Sequence, residues 1–261
     1  MTSRPTILTT TLFIAAVATA ACSNAKSPEP TIPSGSAPSG AGSGSASANP
    51  NAGTVETVKF HSDALGVDKN FVLYLPAGYA SSTKHYPVFY YLHGLGGDET
   101  NWTAYMHLDD AANKLGLQAI VVMPDGDDSF YVDSPAQADY DACMKDGTGL
   151  LDPSEAHATT CVRKNNYETY VVKELVSYVD GHYRTITSRD GRAIAGLSMG
   201  GGHTVTATNN NPGVFGWIGV FSAGARTTDE AFEKQLAAVK AGGVNFYWTG
   251  AGSTDMARQG R

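Results

Sequence analysis

The feature that most constrains the fold of this chain is a short glycine-rich motif in its second half. Residues 196–200, Gly-Leu-Ser-Met-Gly, fit the pattern G-x-S-x-G, in which the serine occupies a strained turn between a strand and a helix. Side chains at the two glycines would collide in that turn. The apolar run 193–195 predicts a buried strand before it, and residues 204–208 can continue as a helix. The motif predicts a strand–turn–helix unit presenting Ser198, with a purely structural glycine turn as the alternative.

The rest of the chain alternates strand-like and helix-like segments. Strands are predicted at 57–60, 71–75, 88–92, 119–123, 192–195, 217–221 and 244–248. The central ones are continuous apolar runs, which is typical of parallel strands covered on both faces. Apolar residues at helical spacing between them are Val171, Val172, Leu175, Val176 and Val179. The pattern predicts an α/β sandwich with a mostly parallel central sheet, and Ser198 at the carboxyl ends of its strands, where such sheets bind ligands.

The N-terminal fifth of the chain is predicted to lie outside this domain. Residues 1–21 carry an early arginine, an apolar run and then small residues, the layout of a secretory signal peptide. The sequence Thr-Ala-Ala-Cys ending at Cys22 resembles the lipobox of bacterial lipoproteins, so Cys22 is a candidate lipid anchor; an ordinary signal peptide followed by an unrelated cysteine is the alternative. Residues 22–54, rich in Ser, Gly, Ala and Pro, predict a disordered tether, and residues 55–261 one domain. We expect an exported protein, either anchored in the cell envelope or secreted.

Charge and cysteine content indicate which partners and which covalent cross-links this protein is expected to have. The formal net charge is −7, and the few basic residues are scattered, so we expect no nucleic-acid partner, and membrane contact only through the anchor. Cys143 and Cys161 remain as a pair in an exported chain, which predicts a disulfide; two free thiols are the alternative.

Several residues suit acyl transfer at Ser198. Such a reaction passes through a tetrahedral oxyanion, which two backbone N–H groups stabilise. Residues 93–97, His-Gly-Leu-Gly-Gly, follow a predicted strand, so we expect the Leu95 and Met199 N–H groups to form the oxyanion hole. We expect His93 to hold this loop by hydrogen bonds and not to act as a base.

The general base is the missing element. In this arrangement the chain order is serine, acid, histidine. The seven histidines are His61, His85, His93, His107, His157, His182 and His203. His203 lies five residues after Ser198, about 500 degrees around a helix, and should point away from it. Asp255, in a Gly-rich loop after the last predicted strand, is the candidate acid, and no histidine follows it.

Two further groups of residues are candidates for a metal site and for the substrate pocket. Three carboxylates within residues 124–128, Pro-Asp-Gly-Asp-Asp, could suggest calcium, but the spacing lacks the rest of an EF-hand loop, so no metal is expected. Trp102 and Tyr131 are candidates for the substrate pocket, with a core position as the alternative for each.

Taken together, these motifs resemble the esterase D-like family of α/β hydrolases, which includes feruloyl and acetyl-xylan esterases, S-formylglutathione hydrolases and the antigen 85 mycolyltransferases. The matching segments are 91–97, 101–102, 167–168, 183–184, 192–202 and 221–224, and the resemblance covers nearly all of 57–261. It implies Ser198 as nucleophile, Leu95 and Met199 as oxyanion donors, and Asp255 as the triad acid.

The chain differs from the family in having no histidine after the candidate acid, and this difference has more than one explanation. The family places its histidine about 30 residues after the acid, and this chain ends before that point, which predicts that C-terminal elements are missing. An incomplete sequence, a natural truncation and a pseudoenzyme are the three explanations, and we favour the first. The resulting prediction is an exported serine esterase without cofactor, feruloyl- or acetyl-xylan-esterase-like, acting on small-molecule or polysaccharide-linked esters. A non-catalytic binding protein of the same fold and an antigen 85-type acyltransferase are the rivals.

Overall fold

A computed structural model describes residues 52–127, 129, 131, 133, 166–223 and 230–255. The predicted signal peptide, the anchor at Cys22, nearly all of the tether and the pair Cys143 and Cys161 lie outside these residues and stay predictions. No helix within the described ranges combines the length and the apolar character that crossing a bilayer requires.

A mixed sheet forms the centre of the fold. Its strands are β1 (Thr54–Ser62), β2 (Val67–Leu75), β3 (Val88–Leu92), β4 (Ile120–Pro124), β5 (Arg192–Leu197), β6 (Trp217–Phe221) and β7 (Phe246–Gly250). They lie in the order β1-β2-β4-β3-β5-β6-β7. The first two pairings are antiparallel, and β4, β3, β5, β6 and β7 run parallel. The predicted α/β fold with a mostly parallel sheet is confirmed.

Helices cover both faces of this sheet. They are α1 (Asn101–Ala104), α2 (Leu108–Leu115), α3 (residues 167–182), α4 (Met199–Asn210) and α5 (Glu230–Ala241). In α3, the π-helical segment Tyr170–Leu175 separates the α-helical segments Tyr167–Thr169 and Val176–His182. The apolar residues predicted at helical spacing lie in this helix and are buried.

Two hydrophobic cores result from the alternation of side chains along the strands. In β3, Val88, Tyr90 and Leu92 pack into the core shared with α3 and α4, whereas Phe89 and Tyr91 pack into the core shared with α1 and α2. All five residues of the strand are buried. Because the central strands are buried on both faces, their sequences are continuous runs of apolar residues.

All seven predicted strands exist, and their boundaries differ most where the sheet is exposed. The ranges 88–92 and 217–221 are reproduced, because these strands are fully buried. The hairpin β1–β2 is longer than its predicted segments, since β1 is largely exposed and polar, so its hydropathy marks only part of it. Strand β7 begins and ends two residues later than predicted, since Val244 precedes the point where pairing with β6 begins.

Candidate functional site

Ser198 stands at the junction of β5 and α4. Its backbone angles are φ 53° and ψ −110°, outside the usual regions for a residue with a side chain, and it is exposed to solvent. A Cβ at Gly196 would lie 2.2 Å from the Gly200 backbone, and one at Gly200 would lie 2.5 Å from the Leu92 carbonyl oxygen. The predicted strand–turn–helix unit is therefore present, with glycine required by close backbone packing.

The sheet register brings the other site loops to the same edge as Ser198. Leu92 of β3 pairs with Gly196 of β5, Gly196 with Val220 of β6, and Val220 with Thr249 of β7. The parallel strands consequently end side by side. Ser198 N–H donates to the Phe221 carbonyl at 2.9 Å, which ties the serine turn to the end of β6.

The glycine-rich loop after β3 lies directly against the serine turn. A Cβ built at Gly94 would stand 3.6 Å from Ser198 Cβ and 3.4 Å from the Leu197 carbonyl oxygen. On the other side, Met199 is the first residue of α4, where backbone N–H groups have no acceptor within the helix and the helix dipole is positive. Both predicted oxyanion donors, Leu95 and Met199, thus belong to segments that flank Ser198, and their role stays a prediction.

His93 holds the loop through both of its ring nitrogens. The Gly126 N–H donates to His93 Nε2 at 2.9 Å, so Nε2 carries no proton, and Nδ1–H donates to the Gly94 carbonyl at 2.8 Å. The ring is buried. The prediction that His93 holds the loop by hydrogen bonds is confirmed.

No histidine of the described ranges hydrogen-bonds to Ser198. His85 and His182 bind the backbone carbonyls of Thr185 and Tyr178, and His61 binds Asp68 on the surface. His107 is also on the surface, with a ring nitrogen 3.9 Å from the Asp110 carboxylate. His157 lies outside the described residues.

His203 is buried in the core on the α3 side, as expected of a side chain that does not serve Ser198. It is 1% exposed, neither ring nitrogen has a hydrogen-bond partner within the described part of the chain, and the ring stacks on Tyr131 at 5.0 Å. Burial lowers the pKa of His203 to about 3, so the imidazole is neutral at physiological pH.

Asp255 follows β7 at the same edge of the sheet. Its backbone N–H donates to the Gly252 carbonyl at 3.2 Å in a turn, and the residue is partly buried. Asp255 lies five residues beyond Gly250, whose carbonyl accepts a hydrogen bond from Ser222 N–H at 2.8 Å. The assignment of Asp255 as the triad acid stays a prediction.

The two predicted pocket residues lie on opposite faces of the sheet. Trp102 is 3% exposed and packs between Tyr91 and Phe221, in the core shared with α1 and α2. Tyr131 is fully buried in the other core. The structure therefore does not bring these two side chains together, and their role in a pocket stays a prediction.

Sequence reasoning missed the partner of the carboxylates after β4. Lys69 of β2 is 6% exposed, and its ammonium lies 2.5 Å from Asp125 Oδ2 and 2.9 Å from Asp127 Oδ1. Burial raises the pKa of the Asp125 carboxyl, but the Lys69 ammonium and the Asp127 N–H that donates to this carboxylate hold that pKa below its usual range. The sequence contained a signal, because Lys69 lies two residues before Phe71 and therefore on the same inward face of β2.

Comparison with known proteins adds a family assignment. Residues 62–255 match the model of a family described as "Putative esterase". An endo-1,4-beta-xylanase/feruloyl esterase of Xylanibacter ruminicola is 29% identical over 184 residues, which are 69% of this chain and 23% of that protein. Esterase Rv1288 of Mycobacterium tuberculosis is 29% identical over 143 residues, 55% of this chain and 26% of that protein. The chain spans about a quarter of the length of these curated relatives.

A solved structure with a similar fold is the substrate-bound fluorophosphonate-binding serine hydrolase FphF of Staphylococcus aureus. It superposes with a TM-score of 0.60 at 19% identity, over 80% of this chain and 82% of that one. A likeness at this identity concerns the fold alone.

Proposed function

We propose that this chain, which belongs to the esterase family whose model it matches, hydrolyses carboxylic esters through an acyl-enzyme formed on Ser198. The esterase resemblance predicted from the sequence motifs is confirmed by the family match and by the names of the relatives. The identity of the reacting groups and of the substrate belongs to the proposal.

The observation that carries the mechanism is the backbone conformation of Ser198. Strained backbone at a non-glycine residue persists only where the surrounding structure enforces it, and it concentrates at functional sites. Here the strained residue is exposed and stands at the end of β5, beside a glycine loop and the positive end of α4. A module that only binds ligands has no need of such a serine turn.

The chemistry follows from these neighbours. Ser198 Oγ attacks the ester carbonyl carbon, and the oxyanion that forms accepts hydrogen bonds from the Leu95 and Met199 N–H groups. The base takes the Ser198 hydroxyl proton and passes it to the departing alcohol, which leaves the acyl group on Ser198; water then attacks this ester and releases the acid and the serine. Asp255 would orient the base and stabilise its charged form. We assign no base, because no described histidine bonds to Ser198.

The substrate class is the ester of a plant polysaccharide or of a related small molecule, feruloyl or acetyl in type. Its support is the xylanase/feruloyl esterase relative, together with the signal-peptide pattern of residues 1–21, which favours action outside the cell. Export, with lipid attachment at Cys22, is part of the proposal. Thioester cleavage of S-formylglutathione is disfavoured, because that substrate is cytosolic.

Turnover of methyl ferulate and p-nitrophenyl acetate by the full-length protein tests the mechanism. Ser198→Ala should lower turnover on the order of 10⁶-fold, and mass spectrometry should find the acyl group on the peptide that contains Ser198. Ser222→Ala is the matched control: Ser222 also has a positive φ of 50°, at the end of the neighbouring strand β6, and this variant should keep most of the turnover.

The outcomes separate the rival readings. Turnover that survives in Ser198→Ala would refute the acyl-enzyme. A wild-type protein that binds ester-bearing glycans without cleaving them would favour the non-catalytic binding protein. Transfer of the acyl group to an added alcohol in preference to water would favour an acyltransferase.

A further inference from the structure

We propose that Lys69 is a positioning residue that sets the direction of the Leu95 N–H through a chain of contacts from β2 to the glycine loop. This inference rests on the proposed function, in which the Leu95 N–H stabilises the oxyanion. Lys69 itself lies on β2, which the sheet order separates from β5 and Ser198 by β4 and β3.

The first step is the burial of the Lys69 charge. The side chain is 6% exposed and its ammonium contacts one oxygen of Asp125 and one of Asp127. A buried ammonium is stable only when it is paired and hydrogen-bonded, so these two contacts determine where both carboxylates lie. The ammonium also stands 5.9 Å from the ring centroid of Tyr167, whose hydroxyl donates to the second oxygen of Asp127.

The second step is the conformation of the turn that follows β4. Asp127 has a φ of 46°, and its N–H donates to Asp125 Oδ1 at 2.9 Å. The Gly126 carbonyl accepts the Ser129 hydroxyl at 2.5 Å. With both carboxylates tied to Lys69, the Gly126 N–H between them points to His93 Nε2.

The third step runs through the His93 ring. Because Nε2 accepts the Gly126 N–H, the proton of the neutral ring is on Nδ1, and this group donates to the Gly94 carbonyl. Asp125 Oδ1 is 3.8 Å from Nε2, too far for a hydrogen bond. Without the Lys69 ammonium, Asp125 and Asp127 lose the group that ties them together, and the Gly126 N–H between them is no longer held toward Nε2.

The last step is the planarity of one peptide unit. The Gly94 carbonyl and the Leu95 N–H belong to the same trans peptide, so they point in opposite directions from one rigid plane. Holding the carbonyl toward His93 therefore holds the Leu95 N–H on the other side. The Gly94 carbonyl also accepts the Gly97 N–H at 3.1 Å in a turn, so the contact with His93 and this turn together fix the plane of the peptide.

Three lysine variants of the full-length protein test the proposal. Lys69→Met should lower kcat for methyl ferulate by about 10- to 100-fold and leave KM within about threefold. The reason is that the variant weakens the hydrogen bond from the Leu95 N–H to the oxyanion, which forms in the transition state. Lys69→Arg can bind both carboxylates and should recover most of kcat. Lys59→Met is the matched control, because Lys59 is an exposed lysine on β1, 4.0 Å from Asp68.

A spectroscopic measurement provides a readout that does not depend on turnover. The ¹⁵N chemical shifts of His93 in the wild-type protein should report a neutral ring with its proton on Nδ1. In Lys69→Met they should move toward the other tautomer, because the Gly126 N–H no longer holds Nε2 as an acceptor. If Lys69→Met does not fold, Lys69→Gln removes the same charge but keeps a side-chain donor that can reach one carboxylate, and should give a smaller change in the same direction.

The outcomes are distinguishable from those of the proposed function. A folded Lys69→Met with wild-type kcat, or with the wild-type His93 tautomer, overturns the positioning role while leaving Ser198-dependent hydrolysis intact. A loss of kcat that Lys69→Arg does not recover also overturns it, since the defect would then be one of packing. Absence of Ser198-dependent turnover in the wild-type protein removes both proposals together.

Discussion

Substitution by alanine should change the stability of the protein in different directions at three consecutive glycines of α4. It should raise stability at Gly202 and lower it at Gly200 and Gly201. A Cβ at Gly202 meets nothing within 4 Å, whereas one at Gly201 would lie 2.8 Å from Ala223 Cβ and 2.9 Å from the Phe221 carbonyl oxygen. At Gly200 the nearest atoms are the carbonyl oxygens of Leu92 and His93, at 2.5 and 2.6 Å. All three positions belong to α4.

The magnitudes follow from helix propensity and from packing. Alanine in a helix is about 0.5–1 kcal/mol more favourable than glycine, so Gly202→Ala should raise the free energy of unfolding by that amount and Tm by about 1–4 °C. Gly201→Ala has the same propensity gain, so the difference between the two variants isolates the steric clash. Overpacking costs about 1–3 kcal/mol, and this should be that difference. Gly200→Ala should lose more, because it meets the backbone of the buried strand β3.

Urea unfolding followed by circular dichroism measures all three variants, with equal m values as the check that the same surface is exposed. The expected order of stability is Gly202→Ala, wild type, Gly201→Ala, Gly200→Ala. Equal stability of Gly202→Ala and Gly201→Ala would show that α4 moves freely away from β6, and the account of the serine turn as a closely packed unit would be wrong.

Two further predictions, tested with three variants, concern buried polar groups. Tyr90→Phe should leave stability unchanged or raise it, because the buried Tyr90 hydroxyl has no hydrogen-bond partner among the described residues. Tyr74→Phe should lower stability by about 0.5–1.5 kcal/mol, because Tyr74 donates to Asn113 Oδ1 at 3.0 Å. Thermal melting of both variants measures the contrast. Burial lowers the pKa of His203 to about 3, so below pH 6.5 the unfolded chain takes up a proton there that the native protein does not, and stability falls as pH drops toward 3. His203→Leu should therefore reduce the slope of unfolding free energy between pH 6 and 4 by about 1.4 kcal/mol per pH unit, and parallel slopes in urea titrations would refute this.

Several parts of the site could be predicted from local sequence. The strand β5, the serine turn and the start of α4 form one continuous segment, in which two glycines and an apolar run are sufficient to specify the backbone. The role of His93 followed from its position directly before the glycine loop, and the hydrogen bonds to Gly94 and Gly126 agree with it.

Other parts could not be predicted, because their partners lie far apart in the chain. Lys69 meets Asp125 and Asp127 more than 50 residues away, and the stacking of His203 on Tyr131 joins α4 to the segment after β4. The extended β1–β2 hairpin was seen only in part, since an exposed antiparallel pair is stabilised by backbone hydrogen bonds that hydropathy does not register.

The sequence by itself determined the α/β class, the strand that carries Ser198 and the glycines of its turn, because these depend on backbone sterics and on hydrophobic periodicity within a few residues. Only the tertiary structure decided which loops meet Ser198, how Lys69 neutralises the carboxylates after β4, and which histidines are occupied elsewhere. Those features depend on strand order and register, which bring residues from β2, β3 and β4 together. Contacts of this kind are formed by the fold as a whole, and no local pattern encodes them.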